Sequence, residues 1–182
     1  MKKNFFLILS LVIAVGTVAG CQNRAANTEL DVLRAKAQLE EQNKALARRF
    51  LEGLDGYRIE IFDEVFSSEA RIYFPGTFEP LSIDQVKSLV SGFYDAFDNM
   101  DHNVQDLFAD GDKVLARTRN SITHSGEFAG IAPTGKVIQL DELLVFRIEQ
   151  GMIVELWIQE DFVWMYQQLG MELKPVTTPS ER

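Results

Sequence analysis

The sequence predicts an α+β domain in which helices come first and an antiparallel sheet follows. Two observations carry this prediction. In the first half of the chain, apolar residues recur every three or four positions, which is the spacing of a helix with one buried face. After about residue 100, apolar runs are interrupted by short turn sequences, as in antiparallel strands. Helices followed by a run of strands favour a layered fold with the helices on one face of a curved sheet.

The N-terminus has the features of a secretory signal peptide over residues 1–20. Two lysines precede an apolar segment, residues 5–19, which is shorter than the about 20 residues that a membrane-spanning helix needs. The segment ends in Val18-Ala19-Gly20-Cys21, which resembles a bacterial lipobox. The resemblance implies that Cys21 is lipidated and anchors an exported protein to the cell envelope, at the outer membrane facing the periplasm if the source is Gram-negative. An ordinary secretory signal with an incidental cysteine is the alternative.

Charge and composition exclude some functions. The chain has a formal net charge of −9, and loss of Lys2 and Lys3 with the signal makes it −11. Such a surface repels nucleic acid, and the sequence has no basic stripe, so nucleic-acid binding is not expected. Cys21 is the only cysteine, so disulfides cannot stabilise the domain. Its core therefore depends on packing, for which 13 phenylalanines provide material.

The chain after the signal divides into three parts by composition. Residues 21–29 are small and polar and predict a lipidated tether. Residues 30–173 contain the periodic apolar pattern and predict one folded domain, for which their number is sufficient. Residues 174–182 contain two prolines and no bulky aromatic residue, so we expect a disordered tail.

The first half of the domain predicts three helices and one short strand. Apolar spacing indicates helices over residues 28–54 and 57–66. A strand over residues 71–74 follows and is stopped by a Pro-Gly pair. Ser82 begins the third helix, whose apolar residues lie on one side: Val86, Leu89, Val90, Phe93 and Phe97.

The second half predicts four strands and a closing helix. The strands are expected over residues 103–109, 113–128, 136–149 and 152–162, and the helix over 162–169. Turn sequences separate the strands: Asp110-Gly111-Asp112, Pro133-Thr134-Gly135 and Gln150-Gly151.

The strands are apolar on both faces. In Leu143-Leu144-Val145-Phe146 and in Leu156-Trp157-Ile158, neighbouring residues that point to opposite faces are all apolar. Helices can cover only one face of the sheet, so the other face is expected to meet a second copy of the chain. The sequence therefore favours a homodimer.

Three stretches resemble the SnoaL-like polyketide (ester) cyclase family. The segment 123–136 resembles the pattern T-H-x-G-x-x-x-G-x-x-x-T-G, residues 151–161 resemble G-x-I-x-E-x-W-x-x-x-D, and Gln168-Leu169-Gly170 resembles a common C-terminal Q-L-G. The resemblance implies the cone-shaped fold of the nuclear-transport-factor-2-like superfamily. It also implies a cofactor-independent cyclase in which an aspartate of the last strand, here Asp161, is the general acid/base. The histidine expected on the first strand is replaced by Tyr73-Phe74-Pro75.

Asp161 is also a candidate on its spacing. Residues two apart on a strand share a face, so Glu155, Trp157, Gln159 and Asp161 are expected to project together. Burial beside an indole would raise the pKa of a carboxylate and suit it to proton transfer near neutral pH. Alternatively, Asp161 caps the closing helix, a position at which aspartate is favoured.

The two histidines have different expected roles. His124 lies at a strand end, where it either orients a substrate carbonyl or pins the following turn through hydrogen bonds to the backbone. His102 lies between a helix and a strand and is expected at the surface or at a helix C-terminus. Neither has a carboxylate at ligand spacing beside it, so no metal site is expected.

Asp141 and Gln139 share a strand face that is expected to approach Asp161, so Asp141 is a second candidate carboxylate. Alternatively, one of Asp141 and Glu142 is buried and the other is solvated and pairs with Arg117 or Arg119.

Aromatic residues are expected to form the walls of a cavity for a small hydrophobic ligand, with Tyr73, Phe93 and Trp157 as candidates. Three functions remain open at this point: an acid/base enzyme on a small apolar carbonyl compound, a binding protein for a hydrophobic ligand, and an interaction module without a cavity.

Overall fold

The computed structural model describes residues 2–172 and 174, with side chains from residue 27 onward. The chain divides into two compact units, residues 1–39 and residues 40–182. The predictions for the signal peptide, the lipidation of Cys21 and, beyond residue 174, the disordered tail lie outside the residues whose side chains are described. No helix in the described part is both long enough and apolar enough to cross a membrane.

The fold is α+β. The helices are α1 (Lys2–Asp55), α2 (Ile61–Val65), α3 (Ile83–Ala96) and α4 (Phe162–Leu169). The strands are β1 (Phe66–Tyr73), β2 (Phe97–Asp110), β3 (Lys113–His124), β4 (Val137–Glu149) and β5 (Met152–Glu160). The order of elements along the chain is the predicted one, and the bounds of α4 are those expected from the sequence.

One five-stranded sheet has the strand order β1-β5-β4-β3-β2. Strands β2 to β5 form an antiparallel meander, as predicted. However, β1 pairs with β5 in parallel, so the sheet is mixed rather than wholly antiparallel. A parallel pair needs a long connection, and here α3 and the rest of the sheet supply it.

Several element boundaries differ from the predictions. Helix α1 continues on the N-terminal side of residue 28. Helix α2 is shorter than the predicted 57–66, and β1 begins at Phe66 rather than at residue 71. Strand β2 begins at Phe97, because register shifts in the ladder with β3 let the pairing extend to Phe97 opposite His124.

Helix α3 begins where its capping residue predicts. The backbone N–H of Gln85 donates to Ser82 Oγ at 3.4 Å, and the Gln85 side chain accepts from the backbone N–H of Ser82 at 2.9 Å. This reciprocal capping box satisfies two donors that the first turn would otherwise leave without partners.

The helices cover one face of the sheet. Phe50 of α1 packs against Phe62 at 5.2 Å and against Phe146 of β4 at 6.0 Å between ring centroids, both edge to face. A second buried cluster joins Phe97 and Ile122 to Met165 of α4. Between them, these contacts fix the helices over the inner face of the sheet.

Candidate functional site

A cavity of about 800 Å³, a volume that includes its open mouth, lies between the helices and the inner face of the sheet. Most of its walls are apolar side chains, among them Phe74, Val90, Phe93, Leu140, Leu156 and Phe162. Four polar residues interrupt this lining: His102, Asn120, Glu142 and Glu160. An apolar cavity with a few convergent polar groups is the usual form of a small-molecule site.

The four polar residues form a row across the sheet, one on each strand from β2 to β5. His102 is the cross-strand partner of Asn120, and Glu142 is the partner of Glu160. Glu142 is also opposite Thr118, which lies two residues from Asn120 on β3. Neighbouring strands are about 4.8 Å apart, so the row places the side chains within reach of one another.

Asp55, the last residue of α1, holds His102 at two points. Its Oδ1 accepts the backbone N–H of His102 at 2.9 Å and lies 2.5 Å from Nδ1 of the ring. This contact directs the other nitrogen, Nε2, to within 4.0 Å of Glu142 Oε2. Asp55 thus fixes the orientation of a buried histidine, as a carboxylate does in many catalytic pairs.

The carboxylates around His102 favour its charged form. Burial by itself lowers the pKa of His102, but the hydrogen bond that the ring donates to Asp55 and the negative charge of Glu142 outweigh it and raise the pKa above its ordinary value. These neighbours therefore favour the imidazolium form of the ring over the neutral imidazole.

Glu142 is buried and accepts two hydrogen bonds from β3. Thr118 Oγ1 donates to its Oε2 at 3.1 Å, and Asn120 Nδ2 donates to the same oxygen at 3.0 Å. These two donors fix the position of the Glu142 carboxyl group at the polar end of the cavity.

Glu160 has the opposite environment. Burial, and to a smaller extent the neighbouring Glu142 carboxyl group, raise the pKa of Glu160 to about 8 against the opposing effect of His102. At neutral pH Glu160 is therefore mostly a protonated acid. Two carboxyl groups that face each other and hold one proton between them are a recurring acid/base arrangement.

Over residues 44–169 the sequence matches the family model described as SnoaL-like polyketide cyclase, which is more than half of the chain. The chain belongs to this family. Solved structures of similar fold cover about the same part of the chain. A comparison with curated proteins found no match.

Two similar structures come from Streptomyces. IdmH of Streptomyces antibioticus, a proposed polyketide cyclase, is 29% identical, with a TM-score of 0.67 over 71% of this chain and 99% of its own. AclR of Streptomyces galilaeus, a proposed hydroxylase, is 24% identical, with a TM-score of 0.67 over 72% of this chain and 97% of its own. These SnoaL-like relatives have the cone-shaped fold that the sequence predicted.

Asp161 does not line the cavity. It is exposed, and its Oδ1 accepts the backbone N–H of Trp164 at 2.9 Å as the N-cap of α4. The sequence predicted that Asp161 projects into a cleft together with Trp157 and Gln159. That prediction is wrong, because none of these three residues lines the cavity. The β5 residues that line the cavity are Leu156, Ile158 and Glu160. They alternate along the strand with the predicted residues and therefore point to the opposite face of the sheet.

Trp157 and Tyr73 also lie away from the cavity. Their rings stack at 5.2 Å with an interplanar angle of 4°, across the parallel pair of β1 and β5, on the outer face of the sheet. Gln159 is exposed on the same face of β5. Of the three predicted aromatic walls, Phe93 alone lines the cavity.

His124 holds a turn. It is fully buried, and the backbone N–H of Thr134 donates to its Nδ1 at 3.2 Å, with Thr134 Oγ1 at 3.0 Å from the same nitrogen. This is the structural alternative considered from the sequence, and His124 does not line the cavity.

Asp141 is exposed on the outer face, where Arg119 Nε donates to its Oδ1 at 2.8 Å. The Arg119 guanidinium lowers the pKa of Asp141. Gln139 is also exposed, and its backbone exchanges hydrogen bonds with the Gln168 side chain. The expected approach of Asp141 to Asp161 is therefore wrong, whereas a buried Glu142 beside a solvated Asp141 is confirmed.

The sequence did not predict that Glu142, Glu160, Asn120 and His102 line the cavity. A signal was present in β4: alternate residues from Ile138 to Ile148 are apolar except at Glu142, and all of them are buried. Burial of a charged residue is costly, so a charged residue within an otherwise apolar face is a signal of a functional site. In the described part of the chain, no group of three or more His, Cys, Asp or Glu is arranged to hold a metal ion.

Proposed function

We propose that this protein is a cofactor-independent acid/base enzyme that isomerises or cyclises a small hydrophobic carbonyl compound. One observation carries the proposal: Glu142 and Glu160 lie opposite each other at the polar end of an apolar cavity, and the pKa of Glu160 is raised to about 8. Membership of the SnoaL-like polyketide cyclase family supports it.

The two carboxyl groups divide the chemistry between them. The Glu142 carboxylate removes a proton from the carbon next to the substrate carbonyl, and the electron pair forms an enolate. The protonated Glu160 gives its proton to an oxygen that becomes negative, either the enolate oxygen or the alkoxide formed when the enolate carbon attacks a second carbonyl. One proton is taken and one is given, so the reaction needs no oxidant or reductant. A pKa of about 8 at Glu160 suits this exchange at physiological pH.

His102 and Asp55 assist this exchange without a covalent step. The His102 ring, whose charged form Asp55 and Glu142 favour, stabilises negative charge that develops at the polar end of the cavity. Asp55 keeps the ring in place and holds its Nε2 toward Glu142. We assign Asp55 as a positioning residue.

The test is deuterium exchange at the carbon next to the carbonyl of 1-tetralone, followed by proton NMR in D₂O. We expect the native chain to accelerate the exchange and Glu160→Gln to lose the acceleration by about 10²-fold or more. Asp161→Asn is the matched control, because it removes the neighbouring carboxylate outside the cavity, and it should retain the native rate within about threefold. Loss of exchange in Asp161→Asn with retention in Glu160→Gln would reverse the assignment.

A non-catalytic binding protein is the second candidate, because most of the cavity wall is apolar. This function predicts that 1-tetralone binds to the native chain and that its exchange is not accelerated. The same experiment, combined with calorimetric binding, separates the two functions.

We also propose that the protein is exported and anchored to the cell envelope through lipid on Cys21. The lipobox-like Val18-Ala19-Gly20-Cys21 supports this proposal. Cys21→Ser should abolish acylation, detected by mass spectrometry of the N-terminal peptide, and release the protein from the membrane fraction. An unmodified Cys21 in the native protein would contradict the anchor.

A further inference from the structure

The polar end of the cavity offers hydrogen-bond acceptors that the described residues do not use. Asn120 is 4% exposed, and its Nδ2 donates to Glu142. That contact fixes the orientation of the amide, because an amide oxygen in the same place would be repelled by the carboxylate. The remaining atom, Asn120 Oδ1, is buried and has no hydrogen-bond partner in the part of the chain that the structure describes.

The same end is acidic. Glu142 and Glu160 belong to the cavity wall, and Asp55 lies behind His102. Among the described residues that line the cavity, His102 is the only basic side chain, and its Nδ1 already contacts Asp55. A ligand that completes this end must therefore bring hydrogen-bond donors and a positive charge.

A primary ammonium group meets both requirements. It carries three N–H donors and no acceptor, so it can serve Asn120 Oδ1 and the two glutamates together. A neutral ketone offers acceptors only and leaves Asn120 Oδ1 without a partner. A carboxylate would be repelled by Glu142.

We propose that the cavity binds hydrophobic primary amines, with the ammonium group among Asn120, Glu142 and Glu160 and the apolar body against the phenylalanine-lined wall. This inference does not depend on the proposed enzymatic function. It predicts that the two glutamates are both ionised when an amine is bound, so binding at pH 7 releases a proton from Glu160. The other ionisable groups at this end, His102 and Asp55, are in contact with each other through Nδ1 and Oδ1.

The test uses three probes that share a naphthalene body and differ in charge: 1-naphthylmethylamine, 1-naphthalenemethanol and 1-naphthoic acid. Isothermal titration calorimetry on the full chain should show the amine binding at least tenfold more tightly than the alcohol, and the acid binding most weakly. Titration in two buffers of different ionisation enthalpy should show release of close to one proton with the amine and none with the alcohol. Equal affinity for the amine and the alcohol, or a preference for the acid, would overturn the proposal.

Two matched variants distinguish the effect of the site on amine binding from the effect of the net charge of the chain. Glu142→Gln and Asp141→Asn each remove one negative charge at adjacent positions of β4, one inside the cavity and one on the outer face. Glu142→Gln should weaken amine binding at least tenfold, and Asp141→Asn should leave it within about twofold. Equal losses would show that the preference comes from the overall charge, and the site assignment would fail.

If Glu142→Gln does not fold, as judged by circular dichroism, Glu160→Gln takes its place with the same expected loss, and the three-probe comparison on the native chain still decides the proposal. Tight amine binding without deuterium exchange in 1-tetralone would support this inference and contradict the proposed enzyme. Deuterium exchange in 1-tetralone without a preference for the amine would support the proposed enzyme and contradict this inference.

Discussion

The protonation states of the residues at the polar end of the cavity are set by their neighbours. His102 becomes more basic because Asp55 and Glu142 surround it, and Glu160 becomes less acidic because it is buried beside Glu142. These shifts depend on distances of a few ångströms between residues that are far apart in the chain. Single substitutions that keep the shape of the side chain therefore test them directly.

Asp55→Asn should lower the pKa of His102. The amide keeps an oxygen for the backbone N–H of His102 but removes the negative charge that stabilises the imidazolium. The measurement is a pH titration of the His102 ring by NMR. Asp101→Asn, at the exposed neighbour of His102, is the control and should leave the titration unchanged; an unchanged pKa in Asp55→Asn would contradict the pairing.

Glu160 should make the native state less stable as the pH rises. Its ordinary pKa is 4.5 and its pKa in the folded chain is about 8, so between these values the folded state keeps a proton that the unfolded state has lost. The associated stability is present below about pH 4.5 and is lost as the pH rises through about 8. Glu160→Gln stays neutral, so its free energy of unfolding relative to the native chain should increase from pH 5 to pH 9. Urea unfolding measures this, and Glu127→Gln, at an exposed position, should show a constant difference.

At the scale of elements, α3 is held at both ends by hydrogen bonds that involve the backbone. Its N-terminus has the capping box of Ser82 and Gln85, and at its C-terminus the carbonyl of Ala96 accepts the backbone N–H groups of Ser125 and Gly126. The second contact brings two backbones so close that a Cβ at residue 126 would lie 2.1 Å from the carbonyl oxygen of Asp95. This approach explains why a glycine stands there.

Two glycine-to-alanine substitutions should therefore have opposite effects. Gly126→Ala forces the loop away from α3 and should lower the free energy of unfolding by about 1–3 kcal/mol. Gly92→Ala lies on the exposed side of α3, with nothing within 4 Å of the added Cβ. It should raise the free energy of unfolding by up to about 1 kcal/mol, because alanine favours a helix over glycine. Urea unfolding of both variants checks the pair, and a stable Gly126→Ala would contradict the close approach.

At the scale of the whole molecule, the outer face of the sheet keeps apolar side chains at its surface. Leu143 is 43% exposed, Leu115 and Val145 beside it are partly exposed, and ion pairs such as Arg119–Asp141 border them. A mixed apolar and charged face of this kind suits a self-complementary contact. We propose a homodimer through this face.

Leu143→Glu should convert that dimer to a monomer. It places a charge at the centre of the proposed contact and leaves the buried face of β4 unchanged. Size-exclusion chromatography with light scattering gives the mass of each species. Phe78→Ser is the control, because Phe78 is fully exposed in the loop between β1 and α3. It should remain dimeric, and a native chain that is monomeric at high concentration would contradict the proposal.

The sequence by itself determined the α+β class, the family and the ends of several elements. The start of α3 at Ser82, the turn at Asp110-Gly111-Asp112 and the closing helix over 162–169 could be predicted because caps and turns depend on residues only a few positions apart. The tertiary structure alone decided which carboxylate enters the cavity. Strand β5 is apolar on both faces, so only its pairing with β4 places Glu160 inside and leaves Asp161 to cap α4. His102 is buried because Asp55, 47 positions earlier, meets it, and such long-range contacts are invisible to local patterns.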